Sequence, residues 1–106
     1  MTTTNILERS DAVARLAQSW APRLKALADE NRLALALLLA QERASVKQLQ
    51  ERSGLSQALV SHHLRVLRDQ GLVTIEVHGR SNVYSLCCGE VEGFVTSLSI
   101  IGEGRC

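Results

Sequence analysis

The sequence predicts a mainly α fold with a small β-hairpin, and three observations predict it. Apolar residues recur at helical spacing over most of the chain. A helix, a glycine turn and a second helix fill residues 45–70. Apolar and polar residues then alternate in the period of a half-buried strand within 73–86. With 106 residues there is room for one hydrophobic core, so residues 1–106 are expected to form a single domain. Apolar residues make up 45% of the chain but aromatics only 3%, which leaves the core to Leu, Val and Ala and favours helices.

The elements follow in order. Ile6, Val13, Leu16, Ala17 and Trp20 fall on one side of a helix starting near Asn5. Pro22 is expected to end that helix and open another through Leu24, Leu27 and Ala28, since proline suits a first turn and breaks an interior one. Asp29-Glu30-Asn31 makes the next break. Leu33 to Ala40 is apolar on every side, as in a helix enclosed by its domain. Ser45 with Gln48 matches a capping box and starts a short helix from Val46 to about Arg52. Gly54 supplies a tight turn, and Ser56 caps a helix that lasts until Gly71. Val73, Ile75 and Val77 alternate with Thr74, Glu76 and His78; Gly79-Arg80-Ser81 turns, and Asn82 to Leu86 returns. Val91, Phe94, Val95, Leu98 and Ile101 give a last amphipathic helix from Glu90 to Ile101. The architecture is a winged helix-turn-helix: five or six helices and a two-stranded wing.

Charge is unevenly placed. Between Arg43 and Arg80 there are six basic and three acidic side chains, a net +3, which leaves −2 for the rest of a chain whose formal charge is +1. No stretch is long and apolar enough to span a bilayer, and the polar start from Met1 to Asn5 lacks the layout of a signal peptide, so a cytoplasmic protein without membrane contact is expected. Three cysteines in a reducing compartment do not make a disulfide framework; they are free thiols, ligands or redox sensors. No acid, base and nucleophile converge and no phosphate-binding glycine loop is present, so an enzyme is not expected, nor a cofactor needed for folding.

At one hundred degrees per residue, the helix after Ser56 has two sides. Leu59, Val60, His63, Leu64, Val66 and Leu67 form the apolar one. Gln57, Ala58, Ser61, His62, Arg65 and Arg68 form the other, and with Ser56 they offer an amide, small residues, hydroxyls and arginines suited to base edges and phosphates in a major groove. A solvated helix face has the same look in isolation; the capped helix before it and the hairpin after it favour double-stranded DNA. Arg80 at the hairpin tip would reach a neighbouring backbone or minor groove. His63, facing inward, is read as structural. A winged helix used only for protein contacts is the competing reading outside DNA binding.

The segments LKALADENRL (24–33), GLSQALVSHHLRVLRDQGLV (54–73) and HGRSNVYSL (78–86) resemble the ArsR/SmtB family of bacterial metal- or metalloid-responsive repressors. That resemblance implies a homodimer whose first and last helices, within 1–28 and 90–102, form the interface, with the helix-turn-helix at 45–70 and the wing at 73–86. It also implies a repressor whose DNA affinity falls when an effector binds. A symmetric dimer would place two recognition helices in successive major grooves about 34 Å apart, hence an operator with an inverted repeat.

Family members often sense metal through a Cys-x-Cys pair just before the position of Leu49. Here that segment reads Ser45, Val46, Lys47, Gln48. Others use His and carboxylates on the last helix, which here has no His and only Glu90, Glu92 and Glu103. What remains is Cys87, Cys88 and Cys106. Three thiolates suit the pyramidal coordination of trivalent arsenic or antimony, with cadmium, lead and mercury as softer divalent alternatives. The same thiols would also serve a redox or sulfide switch. Neighbours in an extended strand point to opposite faces, so a shared ion requires the chain to bend at Cys87-Cys88, and Cys106 must fold back or come from the other subunit.

Overall fold

The computed structural model describes residues 11–101, which form five helices and a three-stranded sheet. The expected contributions of Ile6 and Cys106 lie outside the described residues. In chain order the elements are α1 (Asp11–Leu27), α2 (Glu30–Gln41), β1 (Ala44–Ser45), α3 (Val46–Ser53), α4 (Gln57–Asp69), β2 (Val73–His78), β3 (Ser81–Leu86) and α5 (Gly89–Ile101).

Pro22 does not divide α1 as expected; the helix runs unbroken through it. Proline denies the Gln18 carbonyl its partner, but Gln18, Ala21 and Pro22 all lie on the exposed side, where solvent reaches the freed carbonyl. The break falls at Ala28-Asp29 instead. Asp29 caps α2 by accepting from the Arg32 N–H at 3.0 Å, so Glu30 and Asn31 are already helical. That hydrogen bond holds the Asp29 carboxyl below the usual carboxylate range.

The enclosed helix is α2: Leu35, Ala36 and Leu39 are buried, and every other element packs on it or on its neighbours α3 and α4. Around it, Leu49, Val60, Leu64, Leu67, Leu72, Val91 and Val95 complete a core with almost no aromatic content. Each such side chain contributes roughly 1.5–3 kcal/mol on leaving water. The partly buried Trp20 of α1 stacks on Phe94 of α5 with ring centroids 5.2 Å apart.

The local signals around the helix-turn-helix hold in detail. Ser45 Oγ accepts from the Gln48 N–H at 3.2 Å while the Gln48 side chain accepts from the Ser45 N–H at 2.9 Å. Gly54 ends α3 in the left-handed region at φ +78, and a Cβ there would meet nothing within 4 Å. Gly54→Ala therefore costs backbone strain alone, an expected loss of about 1–2 kcal/mol in urea unfolding. Ser56 Oγ accepts from the Leu59 N–H at 3.2 Å and starts α4.

The hairpin is part of a larger sheet than the two strands expected, with order β1-β3-β2. Ala44 pairs with Tyr84 and Ser45 with Val83, and a two-residue strand is too short to leave an alternating pattern. Burial fades along β2: Val73 is buried, Ile75 is half-buried, and Val77 is 73% exposed because the hairpin projects beyond the core. His78 pairs with Ser81 across Gly79-Arg80, and the positive φ of Gly79 at the first central position fits a II′ hairpin turn.

Candidate nucleic-acid interface and thiol pair

The two sides of α4 are divided by what packs against them. Val60, His63, Leu64 and Leu67 are buried under the domain, and Val66 is half-buried. Gln57, Ala58, Ser61, His62, Arg65 and Arg68 are all exposed, as is the cap Ser56. Leu59 is the exception to the expected division: it is 44% exposed, since its position turns past the edge of the core.

The cations separate in the same way. Arg43 pairs with Glu76 at 3.2 Å and Arg52 with Glu42 at 3.6 Å. Among the described residues Arg65, Arg68, Arg80 and Lys47 have no such ion pair. Arg80 stands at the exposed hairpin tip.

Beside α4 lie two separate hollows that sequence reasoning missed. The first, of about 680 Å³, is lined by Lys47 and Gln50 of α3, Gln57 of α4, and Ser81 and Asn82 of β3. The second, of about 300 Å³, is lined by Ser61, Arg65, Arg68, Asp69 and Tyr84. The first hollow brings Ser45 and Asn82 together and the second Ser61 and Tyr84, so no short spacing in the sequence announces either. Asp69 sets an acidic limit to the strip at the C-terminal end of α4.

At the opposite end of β3 the chain bends as a shared site requires. The Cys87 N–H still donates to the Leu72 carbonyl at 2.9 Å, closing the sheet, while the Cys88 carbonyl already accepts from the Glu92 N–H at 2.9 Å, opening α5. This change of direction brings the two sulfurs to 2.8 Å, with both cysteines reduced. Burial pushes the Cys87 thiol up to about 11, and its hydrogen bond to Cys88 adds to the shift. Cys88 moves the other way: it receives that hydrogen bond and faces the Val91 and Glu90 N–H groups at the start of α5. The pair therefore loses its first proton at the exposed Cys88. Among the described residues no group of three His, Cys, Asp or Glu side chains converges on one point, so two of the three expected sulfurs are brought together and Cys106 lies outside.

No helix among the described residues is long and apolar enough to cross a membrane. Residues 29–74 match the family described as bacterial regulatory protein, arsR family. The arsenical resistance operon repressor of Bacillus subtilis is 34% identical over 99 residues, covering 88% of this chain and 94% of the relative. The HTH-type transcriptional regulator NmtR of Mycobacterium tuberculosis is 44% identical over 77 residues, 73% of this chain but only 61% of that protein. Among solved structures, the homodimeric winged helix-turn-helix DNA-binding domain of a possible ArsR-family regulator from Mycobacterium bovis superposes with a TM-score of 0.76 at 27% identity, over 91% of this chain and 89% of that one. These relatives are transcriptional regulators rather than enzymes, and together with the capped α3-α4 pair and its hairpin they show that the chain belongs to the ArsR family of bacterial regulatory proteins, with a winged helix-turn-helix fold.

Proposed function

We propose that this chain is a cytoplasmic DNA-binding repressor that acts as a homodimer and leaves its operator when trivalent arsenic or antimony binds Cys87, Cys88 and Cys106. The observation that carries the DNA reading is the exposed strip that starts at the cap Ser56 and runs along α4 through Gln57, Ala58, Ser61 and His62 to Arg65 and Arg68, in which both arginines lack an ion pair among the described residues. Arg80 extends it to the wing. Single-domain organisation over 1–106 leaves α1 and α5 to pair with a second copy. Leu16, Leu24 and Ile100 support this, being large apolar side chains 46–60% exposed on those two helices. The Mycobacterium bovis domain is itself described as homodimeric.

The effector reading rests on the two sulfurs at 2.8 Å and on a relative named for arsenical resistance. Each thiol that joins arsenic trihydroxide forms one As–S bond and releases its proton with one hydroxyl group as water. Cys88, the more acidic, attacks first and Cys87 follows on the same arsenic. Cys106, from either subunit, would complete a three-sulfur pyramid.

The test is footprinting of the upstream promoter, followed by arsenite titration of the complex. Protection of an inverted repeat and its loss on adding arsenite are expected. Cys87→Ser with Cys88→Ser should keep the footprint and lose the response. An unchanged response sinks the metalloid site; no protected sequence sinks the repressor and leaves the protein-contact reading. Thiol oxidation is a second reading of the same sulfur contact, and it is told apart by mass spectrometry: peroxide, or sulfide together with peroxide as the oxidant, must leave a linked species involving Cys106, which arsenite does not require.

A further inference from the structure

The buried face of α4 carries one ionisable side chain, His63, in a row otherwise made of Val60, Leu64 and Leu67. The residue is 7% exposed. Its ring Nδ1 lies 3.4 Å from Nη1 of Arg32 in α2. Arg32 is itself fixed: its Nε donates to the Ala26 carbonyl at the end of α1 at 2.7 Å, and its backbone N–H donates to Asp29 at 3.0 Å. A guanidinium has donors and no acceptor, so it faces a ring nitrogen favourably only when that nitrogen carries a lone pair. The contact thus selects neutral His63 with its proton on Nε2.

We propose that Arg32 is a positioning residue for the recognition helix, clasping α4 to the corner between α1 and α2 through the unprotonated Nδ1 of His63, and that protonating His63 opens the clasp and weakens DNA binding. The inference rests on the reading of α4 as the DNA-contacting element. Protonation would set a ring N–H against a guanidinium N–H and one cation against another. Of the charged groups around the ring, Arg32 and His62 oppose protonation and only Asp29 favours it, while burial, the largest influence, pushes His63 below its ordinary value. The clasp is therefore closed near neutral pH. Because the folded value lies below the unfolded one, the unfolded chain takes up the proton first as pH falls. Stability from this residue is fully present above about pH 6.5 and declines below it, until folded His63 titrates.

The neighbouring residue makes the sign diagnostic. His62 is exposed on the DNA-facing side, its ring centroid 5.2 Å from that of His63. Charging His62 alone adds a cation toward the duplex and strengthens binding, whereas opening the clasp weakens it. The experiment compares wild-type protein and His63→Asn on the footprinted operator fragment at about pH 7.5 and at a lower pH at which NMR shows the wild-type His63 imidazole to be charged. Long-range proton–nitrogen NMR of the wild-type imidazoles reads the tautomer independently. The asparagine Oδ1, bonded to Cγ as Nδ1 is, can accept from Arg32 at every pH, so the variant should match wild type at the higher pH and bind about fivefold or more tighter than wild type at the lower. Nδ1 of wild-type His63 should be unprotonated at the higher pH. A protonated Nδ1 there, or parallel pH profiles on a bound operator, overturns the clasp alone. If the asparagine variant does not fold, the wild-type tautomer decides. Wild-type protein that binds no operator at all overturns the DNA reading and the role of the clasp with it.

Discussion

Replacing Arg65 with alanine is expected to weaken operator binding by about 5- to 150-fold, equivalent to roughly 1–3 kcal/mol, with no change in the unfolding midpoint. Arg65 lies near the middle of the exposed side of α4 and has no ion pair among the described residues, so its removal breaks no intramolecular charge contact. If the guanidinium meets a phosphate, the slope of log affinity against log salt should also fall by about one; if it meets a base edge, the slope stays and discrimination at that base relaxes. Fluorescence anisotropy on operator and scrambled duplexes over a salt series separates the two. Unchanged affinity on the operator would mean that α4 presents this side to something other than DNA. Arg43 provides the control, since it is already paired with Glu76 and its loss should matter less.

The second large effect comes from the other side of the same helix. Leu67 is fully buried, and its carbonyl also accepts from the Leu72 N–H at 2.9 Å where α4 hands over to the sheet. Leu67→Ala is expected to cost about 2–5 kcal/mol in urea unfolding, part from lost burial and part from the cavity left between α2 and α4. Set against a total of about 5–15 kcal/mol for a typical domain, that is enough to populate unfolded chains. Operator binding should then fail through loss of folded protein, and added operator should raise the midpoint by mass action. Arg65→Ala and Leu67→Ala therefore reduce the same activity by separable routes, and a midpoint unchanged in Leu67→Ala would show the core to be wrongly assigned.

What was legible in the sequence was what short-range chemistry decides. Ser45 with Gln48, Gly54 and Ser56 each act within four residues, so the starts of both helices were readable to the residue, while their ends, at Ser53 and Asp69, fell one or two positions from those expected. The hairpin was readable because Val73 and Ile75 alternate and Gly79 can take a positive φ. What escaped depends on distant partners. Pro22 looked like a helix end because solvent exposure of Gln18 cannot be seen in a local pattern. Two-residue β1 exists only because Tyr84 and Val83 lie beside it, and Leu59 was misplaced because the core stops short of its angle. The bend at Cys87-Cys88 was required by the chemistry, and the meeting of sheet and helix there provides it. Arg32 passed unremarked in a polar break, since nothing in sequence places it against a histidine 31 positions later.

One residue belongs to two machines. Ser45 caps α3 and at the same time pairs with Val83 in the wing, so the first helix of the helix-turn-helix and the hairpin share a hinge pin. Neither can tilt without dragging the other. On the proposed reading, a perturbation entering at Cys87-Cys88, at the far end of the strand that Ser45 pairs with, would turn the helix pair and the hairpin together. Release from DNA would then be a change in the pitch between the two heads of the proposed dimer, leaving the grip of each one intact.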